Sequence, residues 1–360
     1  RFVHGPRRRG GLPDGVLPLR ITHVVVTTSF AGTERHVAEL AARQRLAGHD
    51  VRVLGGDPAE LAPRFGSAYS PAATLADAVR ALRAGGTRDI VHSHLTAADL
   101  AAAVSAPWHG ARVVSTRHIA AGRGSTRAAR AAVRLLQRRI DVEICISEYV
   151  RRSTGRGGVV VHNGVAPAAP AAPAAPAAPA APVELRVAGR ILLAQRLEPE
   201  KGTALALRAW RESGLASSGW RLVVCGDGAE AAALRRAYDD PSIEWRGWVR
   251  DLSAEFDSCA ALLAPAPAEP FGLSVVEAMS RAVPVLAAGG GGHLETVGRS
   301  AAALLFAPGD AADCARLLAT FAGMSAADRA AYGAELRSLQ RRHFDLDAQV
   351  RAVEACYRMQ

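Results

Sequence analysis

Lysine is almost missing from this 360-residue chain: of 44 basic residues only Lys201 is a lysine, and every other one is arginine. A lone compact ammonium among so many guanidinium groups asks for a local reason. Aromatic residues are also scarce, at 5%. They do not interleave with the basic stretches, which argues against a surface that stacks nucleic-acid bases. The five cysteines, Cys145, Cys225, Cys259, Cys314 and Cys356, are far apart and form no C-x-x-C pair. That excludes a disulfide framework, offers no zinc-ligand spacing, and reads as reduced, buried thiols of a cytoplasmic protein. No apolar run approaches the ~20 residues that a membrane-spanning helix needs. Residues 1–19 carry Arg1, Arg7, Arg8 and Arg9 but no apolar core after them, unlike a secretory signal. They also lack a starting Met, and the expectation is a disordered basic tail. No G-x-G-x-x-G follows the first strand pattern, which weakens a dinucleotide-binding reading.

What the chain does contain fits two domains, since its length exceeds one ordinary core. Its formal charge of +10 is unevenly placed. Residues 1–165 hold 24 Arg against 12 acidic residues, and the remainder holds 20 basic against 22 acidic, so the excess lies in the first half. From Ala166 to Pro182 the sequence repeats Ala-Ala-Pro. Proline at every third position blocks helix and ladder bonds and favours extended polyproline geometry reaching about 50 Å. Residues 166–182 are therefore expected to be a linker, or an inert low-complexity insertion. It separates a domain at 20–165 from one at 183–342, with 343–360 following.

Both halves alternate strand and helix patterns. Strands are expected at Ile21–Thr27, Val51–Leu54, Ile90–His92, Arg112–Ser115, Val142–Ile146 and Val159–His162. A second set is expected at Val187–Leu193, Arg221–Cys225, Ile243–Trp245, Ala261–Ala264, Pro284–Ala287 and Ala303–Phe306. Two runs of βαβ units imply two doubly wound parallel sheets, whose ligands sit where strand ends meet helix N-termini. The natural site is then the cleft between the domains.

The loop Ala194-Gln-Arg-Leu-Glu-Pro-Glu-Lys-Gly202 lies between a strand and a helix. Arg196 can clamp one phosphate bidentately, Lys201 can neutralise another, and the helix start adds backbone donors. Read blandly, it is a solvated charged loop; the uniqueness of Lys201 favours function. The run Glu269-Pro-Phe-Gly-Leu-Ser-Val-Val-Glu277-Ala-Met places two carboxylates eight residues apart around a glycine turn and a helix start. Its bland reading is a capped helix with a surface glutamate. Cys225-Gly-Asp-Gly228 and Gly289-Gly-Gly-Gly-His-Leu-Glu295 offer backbone that a ligand can approach closely. An Asp-x-Asp metal motif is read as absent from the chain, in agreement with a site that needs no metal. His92 and His94, in Val-His-Ser-His, are read as structural, and His162-Asn-Gly164 as a strand ending in a turn.

In this order and spacing the motifs resemble the retaining glycosyltransferases of GT-B fold, of the group-1 or family-4 type, from about Arg20 to Gln360. The resemblance implies an α/β chain of two Rossmann-like, doubly wound domains facing a central cleft. Arg196 and Lys201 would bind the diphosphate of a nucleotide-sugar donor, and Glu277 the ribose hydroxyls. Glu269 would face the donor sugar, with main-chain contacts from Phe271, Gly272 and Leu273. Trp248 and Val249 match the region that touches the base. Phe30-Ala-Gly-Thr-Glu34 resembles the glycine loop, with Gly32 beside the donor phosphates. His118, in Ser115-Thr-Arg-His118, matches a histidine that reaches the transferred sugar and is taken with Glu269 as catalytic. The last helix, Leu346–Met359, resembles one that returns to the N-terminal domain. The chain departs from the pattern at Ala31 and Gln195, where glycine is usual, and in its long proline-rich tract.

The implied reaction is transfer of a sugar, a hexose by type, from a nucleoside diphosphate to an acceptor hydroxyl with retention of configuration. The leaving phosphate takes the acceptor's proton, domain closure excludes water, and neither a metal nor a further cofactor is needed. Arg123, Arg127, Arg130, Arg134 and Arg138 form one stripe on a helix opposite Ala129, Ala132, Val133, Leu136 and Ile140. Such a stripe is either a solvated face or a contact with anionic lipid on the inner membrane face. The latter suits a lipid-linked acceptor in cell-envelope glycolipid or polysaccharide synthesis. Two other readings fit the same motifs: a nucleotide-sugar epimerase of the same fold, and a non-catalytic nucleotide-sugar-binding homologue.

Overall fold

A computed structural model of the chain describes residues 17–28, 31–120, 127–155, 157–167 and 189–359, with the backbone alone at 128–132. The chain divides into two compact units. One runs to Val161 and takes in the chain from Asp347 onward, and the other is His162–Leu346.

The first unit is built on seven parallel strands, β1 Arg20–Val25, β2 Asp50–Gly55, β3 Tyr69–Ser70, β4 Ile90–His94, β5 Arg112–Arg117, β6 Val142–Cys145 and β7 Val159–Val160. Their order is β3-β2-β1-β4-β5-β6-β7. Helices α1 Gly32–Leu46, α2 Pro58–Phe65, α3 Leu75–Ala84, α4 Thr96–His109, α5 Arg127–Leu136 and α6 Glu148–Thr154 lie between them. The second unit carries β8 Arg190–Ala194, β9 Arg221–Cys225, β10 Ile243–Gly247, β11 Ala261–Ala264, β12 Val285–Ala288 and β13 Leu304–Phe306, ordered β10-β9-β8-β11-β12-β13. Its helices are α7 Thr203–Ser213, α8 Ala231–Ala237, α9 Ser253–Ser258, α10 Leu273–Ser280, α11 Ala311–Gly323 and α12 Ala326–His343. The chain ends in α13, Leu346–Arg358. In each sheet the strand order reverses beside the first strand, so loops diverge between β1 and β4 and between β8 and β11. A crevice opens at the carboxyl ends there.

The central strands of the second unit are apolar on both faces, as a parallel sheet covered by helices on each side requires. Ile191, Leu193, Val224 and Leu263 pack with Trp210 and Phe321, all at most 1% exposed. In the first unit Val350, Val353, Cys356 and Tyr357 of α13 join Ile21, Val51, Val114 and Ile144 in one core. All five cysteines are free and buried. No helix among the described residues is long and apolar enough to cross a membrane.

Three details differ from the sequence patterns. The edge strand β3 spans two residues, too few for a periodic signal. The expected strand Val159–His162 spans only Val159–Val160, with Val161 N–H still donating to the Cys145 carbonyl at 3.0 Å, while His162 Nε2 lies 3.0 Å from Glu295 Oε2. The strand expected at Val187–Leu193 runs Arg190–Ala194. The tail up to residue 16 and the Ala-Pro tract from residue 168 lie outside the described residues, while Leu19 is tied down by Asp50 and by His49 Nδ1 at 3.0 Å.

The first unit hides an unusual amount of imidazole. His23, His92 and His94 are fully buried, His36 is 4% exposed and His118 9%. Burial pushes His23 and His36 down to about 4, and holds His92, His94 and His118 well below the ordinary imidazole range. Their mutual repulsion when charged adds to this. All five are therefore neutral at pH 7. Below about pH 6.5 the unfolded chain binds protons that the folded chain refuses, so stability falls with pH by about 1.4 kcal/mol per unit for each ring. The urea midpoint should drop steeply between pH 7.5 and pH 5.5; a midpoint constant over that range contradicts the assignment.

Candidate functional site

Two loops meet at the crevice of the second unit. The first leaves β8 at Ala194 and closes in a 3₁₀ turn, Pro199–Lys201, before Gly202. Gly202 has φ +69°, and a side chain there would press within 2.9 Å of the Pro265 carbonyl. Glycine is thus needed both for the left-handed turn and for the close approach. The second loop leaves β11 at Ala264 and ends at Gly272, φ +91°, which opens α10. Across the crevice Lys201 Nζ donates to Glu269 Oε2 at 2.7 Å, with both side chains only about one-sixth exposed (16% and 15%). The only ammonium in the chain is therefore held by a carboxylate from the neighbouring loop.

Each loop is braced. Gln195 Nε2 donates to the Lys201 carbonyl at 2.9 Å and to Thr203 Oγ1 at 3.0 Å, so the residue that replaces the usual glycine fixes the lysine's backbone. The glycine run after β12 lies against the second loop, with Gly292 N–H donating to the Glu269 carbonyl at 2.7 Å. A side chain at Gly291 would strike that same carbonyl, and one at Gly292 would lie 2.6 Å from the Phe271 Cα. Next to them His293 is buried and donates from Nδ1 to the Ala288 carbonyl at 3.0 Å. Burial holds its pKa below the ordinary range, against the pull of Glu269.

The other expected residues take distinct places. Arg196 is on the same loop as Lys201 but is more than half exposed and pairs with Glu200 at 3.1 Å. Phe271 is 1% exposed and packs on His162 and Phe344, so only its backbone is offered to a ligand. Leu273 and Glu277 are half-buried, one turn apart on α10. Trp248, 57% exposed, and Val249 follow β10 where Gly226 N–H donates to the Gly247 carbonyl, at the carboxyl edge of the same sheet.

In the first unit Gly32 opens α1, and Glu34 accepts the Ala31 N–H at 2.9 Å. Phe30 lies outside the described residues. His118 follows β5, and its Nε2 is 3.1 Å from His94 Nδ1. The next residue after His94, Leu95, has φ +71° and ψ 162°, a region only glycine enters freely, at a cost of about 1–3 kcal/mol. Strand alternation puts His92 and His94 on the sheet face covered by α1 and α13. Ser93 and Ser115 take the opposite face, where both donate to Asp99 at 2.6 Å. His23, His92 and His94 bring nitrogen atoms within 4.8 Å of one another, a grouping that their positions in sequence conceal. Those nitrogens already serve hydrogen bonds: His23 Nδ1 lies 3.1 Å from His94 Nε2, and His92 bonds Tyr357 and Thr116. One proton lies between the first two, so the trio does not offer three lone pairs at once. Contrary to the reading of the sequence, one Asp-x-Asp does occur, Asp345-Leu-Asp347; it lies at the start of α13, where Asp347 pairs with Arg43 at 3.3 Å.

On α5, Arg127 and Arg134 are exposed, as is Arg138 just beyond it. Val133 is buried, and Leu136 and Ile140 line a small gap against Thr96 and Leu100 of α4. Arg123 and the side chains of Ala129, Arg130 and Ala132 lie outside the described residues. The structure thus joins Lys201 to Glu269 and sets Phe271, Gly272, Leu273 and Glu277 on the same loop and helix. It leaves Arg196 facing solvent. Sequence reasoning gave no role to Gln195 or His293. The glycine run before His293 was a usable signal, whereas nothing in the sequence pointed to Gln195 as a brace.

Comparison with known proteins follows the same division. A family model for glycosyltransferase family 4 matches residues 30–169, and one for group 1 glycosyl transferases matches 188–322. The chain is 35% identical over 127 residues to a 2-deoxystreptamine glucosyltransferase of Streptomyces kanamyceticus, a match that spans 34% of this chain and 33%, about one third, of that protein. It is similar in structure to Anabaena HepE in complex with UDP and glucose, with a TM-score of 0.76, 18% identity, and 94% and 98% of the two chains covered. Sucrose-phosphate synthase from Thermosynechococcus elongatus gives a TM-score of 0.72 at 18% identity, over 94% and 98% of the chains. At these identities the likeness establishes the fold. Two parallel-sheet units of GT-B type and both halves of the family pattern place this chain among the group-1, family-4 glycosyltransferases.

Proposed function

We propose that this glycosyltransferase moves a hexose from a nucleoside-diphosphate sugar to an acceptor hydroxyl, retains the anomeric configuration, and needs no divalent metal. The observation that carries the proposal is the Lys201–Glu269 pair at the point where the strand order of the second sheet reverses. That is where doubly wound sheets bind phosphorylated ligands. A donor diphosphate takes over Lys201, and Glu269 is released to the sugar hydroxyls. Arg196 joins at little cost, because its exposed pair with Glu200 is worth under about 1 kcal/mol while a charge-assisted bond to phosphate returns about 1.5–3 kcal/mol. Glu277 accepts the ribose hydroxyls, Phe271, Gly272 and Leu273 contribute main chain, and Trp248 with Val249 meets the base. His118 and Gly32 serve the sugar and phosphates from the first unit. Fixed positive charge on the departing diphosphate does the work that a metal does elsewhere. Attack on the same face, with the leaving phosphate accepting the acceptor's proton, retains configuration. The crystallised relative holding UDP and glucose, and the glucosyltransferase name of the sequence relative, support a donor of this class.

For the acceptor, the excess of arginine in residues 1–165 favours an anionic, lipid-linked molecule of the cell envelope, reached from the inner membrane face. A cationic aminocyclitol, as the name of the sequence relative would suggest, sits less easily with that charge.

Three outcomes are expected. In a thermal-shift panel of UDP-, GDP- and ADP-sugars at least one raises the melting temperature, and Lys201→Ala weakens its binding about 10–100-fold. A wild type that none of them shifts contradicts the donor site, while release of an epimerised sugar nucleotide without acceptor identifies an epimerase. Binding without transfer or hydrolysis marks a non-catalytic protein. Transfer by the wild type is unchanged by EDTA, and the product keeps the donor's anomeric configuration by proton NMR. The chain co-sediments with vesicles of anionic lipid at low salt and is released as salt rises; no sedimentation at low salt removes the membrane role.

A further inference from the structure

Four of the buried imidazoles of the first unit, His118, His94, His23 and His92, belong to one unbranched hydrogen-bonded chain. It runs from His118 Nε2 to His94 Nδ1 (3.1 Å), from His94 Nε2 to His23 Nδ1 (3.1 Å), and from His23 Nε2 to Gln44 Oε1 (2.7 Å). It continues from Gln44 Nε2 to Tyr357 Oη (3.1 Å), from Tyr357 Oη to His92 Nδ1 (2.8 Å), and from His92 Nε2 to Thr116 Oγ1 (2.7 Å). Tyr357 is 313 residues from Gln44 in sequence and comes to it on α13.

Each neutral imidazole has one N–H and one lone pair, so along such a chain the proton on one ring decides the proton on the next. Gln44 is the one link whose two ends differ chemically. Its oxygen faces His23, so His23 carries its proton on Nε2 and accepts at Nδ1. His94 must then donate from Nε2 and accept at Nδ1, and His118 must donate from Nε2. On the other side the Gln44 amide donates to Tyr357, whose buried hydroxyl donates to His92 Nδ1, and His92 Nε2 donates to Thr116. Every donor meets an acceptor in this sense. Turning the Gln44 amide over would reverse all six bonds and move the His118 proton to Nδ1.

We propose that Gln44 and Tyr357 are positioning residues that fix the tautomer of His118, leaving its Nδ1 as a lone pair that accepts a hydroxyl of the transferred sugar. The sugar contact rests on the glycosyltransferase reading above, whereas the tautomer assignment rests on the chain of bonds alone. His118 Nδ1 has no partner among the described residues, and His118 is the one member of the chain at the carboxyl end of a strand with some exposure. The low proton affinity of all the rings agrees with one proton on each.

The test uses the full chain with ¹⁵N-labelled histidine, in which multiple-bond proton–nitrogen spectra tell a protonated ring nitrogen from a bare one. In the wild type His23, His94 and His118 should each carry the proton on Nε2. Gln44→Leu and the near-isosteric Tyr357→Phe should convert His118 to a mixture of tautomers. Gln44→Glu, which keeps an acceptor for His23, should restore the single form. A bare Nε2 on His118 in the wild type, or an unchanged His118 in both Gln44→Leu and Tyr357→Phe, overturns the proposal. With UDP-glucose as probe, the His118 Nδ1 resonance should shift where UDP alone leaves it in place. Tyr357→Phe should weaken UDP-glucose about tenfold, one hydrogen bond's worth, and UDP hardly at all. If tautomers respond as stated but UDP-glucose and UDP act on His118 alike, the tautomer control stands and the sugar contact falls.

Discussion

A single ion pair organises the second unit. Lys201 and Glu269 come from loops on opposite sides of a crevice, and their 2.7 Å contact gives each charge a partner where water is largely excluded. Much of the surrounding sequence serves that contact. Gly202 lets the chain turn against the Pro265 carbonyl, Gln195 grips the lysine's own carbonyl, and Gly291 with Gly292 lets backbone reach the backbone of Glu269. A partly buried pair of this kind adds little net stability, because desolvation offsets attraction. Its value lies in holding two reactive groups ready. A diphosphate that arrives finds an ammonium already placed, and the glutamate freed from it is already beside the incoming sugar.

The first unit solves a different problem. A row of imidazoles in a sheet interior is costly unless its nitrogens are hydrogen-bonded, and here the bonds pass from β1 and β4 to α1 and α13. The C-terminal helix is therefore more than a cover over Ile21 and Val51. Through Tyr357 it closes the polar network as well as the apolar core, which gives a physical reason for the last residues to pack with the first unit.

How much of this was legible beforehand follows from the range of each interaction. The alternation of apolar runs and helical patterns located nearly every strand, because a sheet covered on both faces writes itself as continuous apolar segments. The two-residue strand β3 and the early end of β7 escaped, since their limits are set by pairing partners distant in sequence. Lys201 and Glu269 could each be singled out, one by its uniqueness and one by its place in a glycine turn. Their contact could not be read, because 68 residues separate them. Arg196, on the same loop as Lys201, is exposed and pairs with Glu200, a contact four residues away on the same loop. His92 and His94 lie fully buried on β4. Their link through Gln44 to Tyr357 depends on folding alone.

The proposed function depends on what happens to the Lys201–Glu269 contact when a donor binds. A crystal structure with a bound nucleoside-diphosphate sugar measures it directly. Lys201 Nζ should lie within hydrogen-bond distance of a phosphate oxygen and Glu269 within reach of a sugar hydroxyl, with Glu277 on the ribose. A donor bound while the pair stays intact and its phosphates lie elsewhere would contradict the proposal.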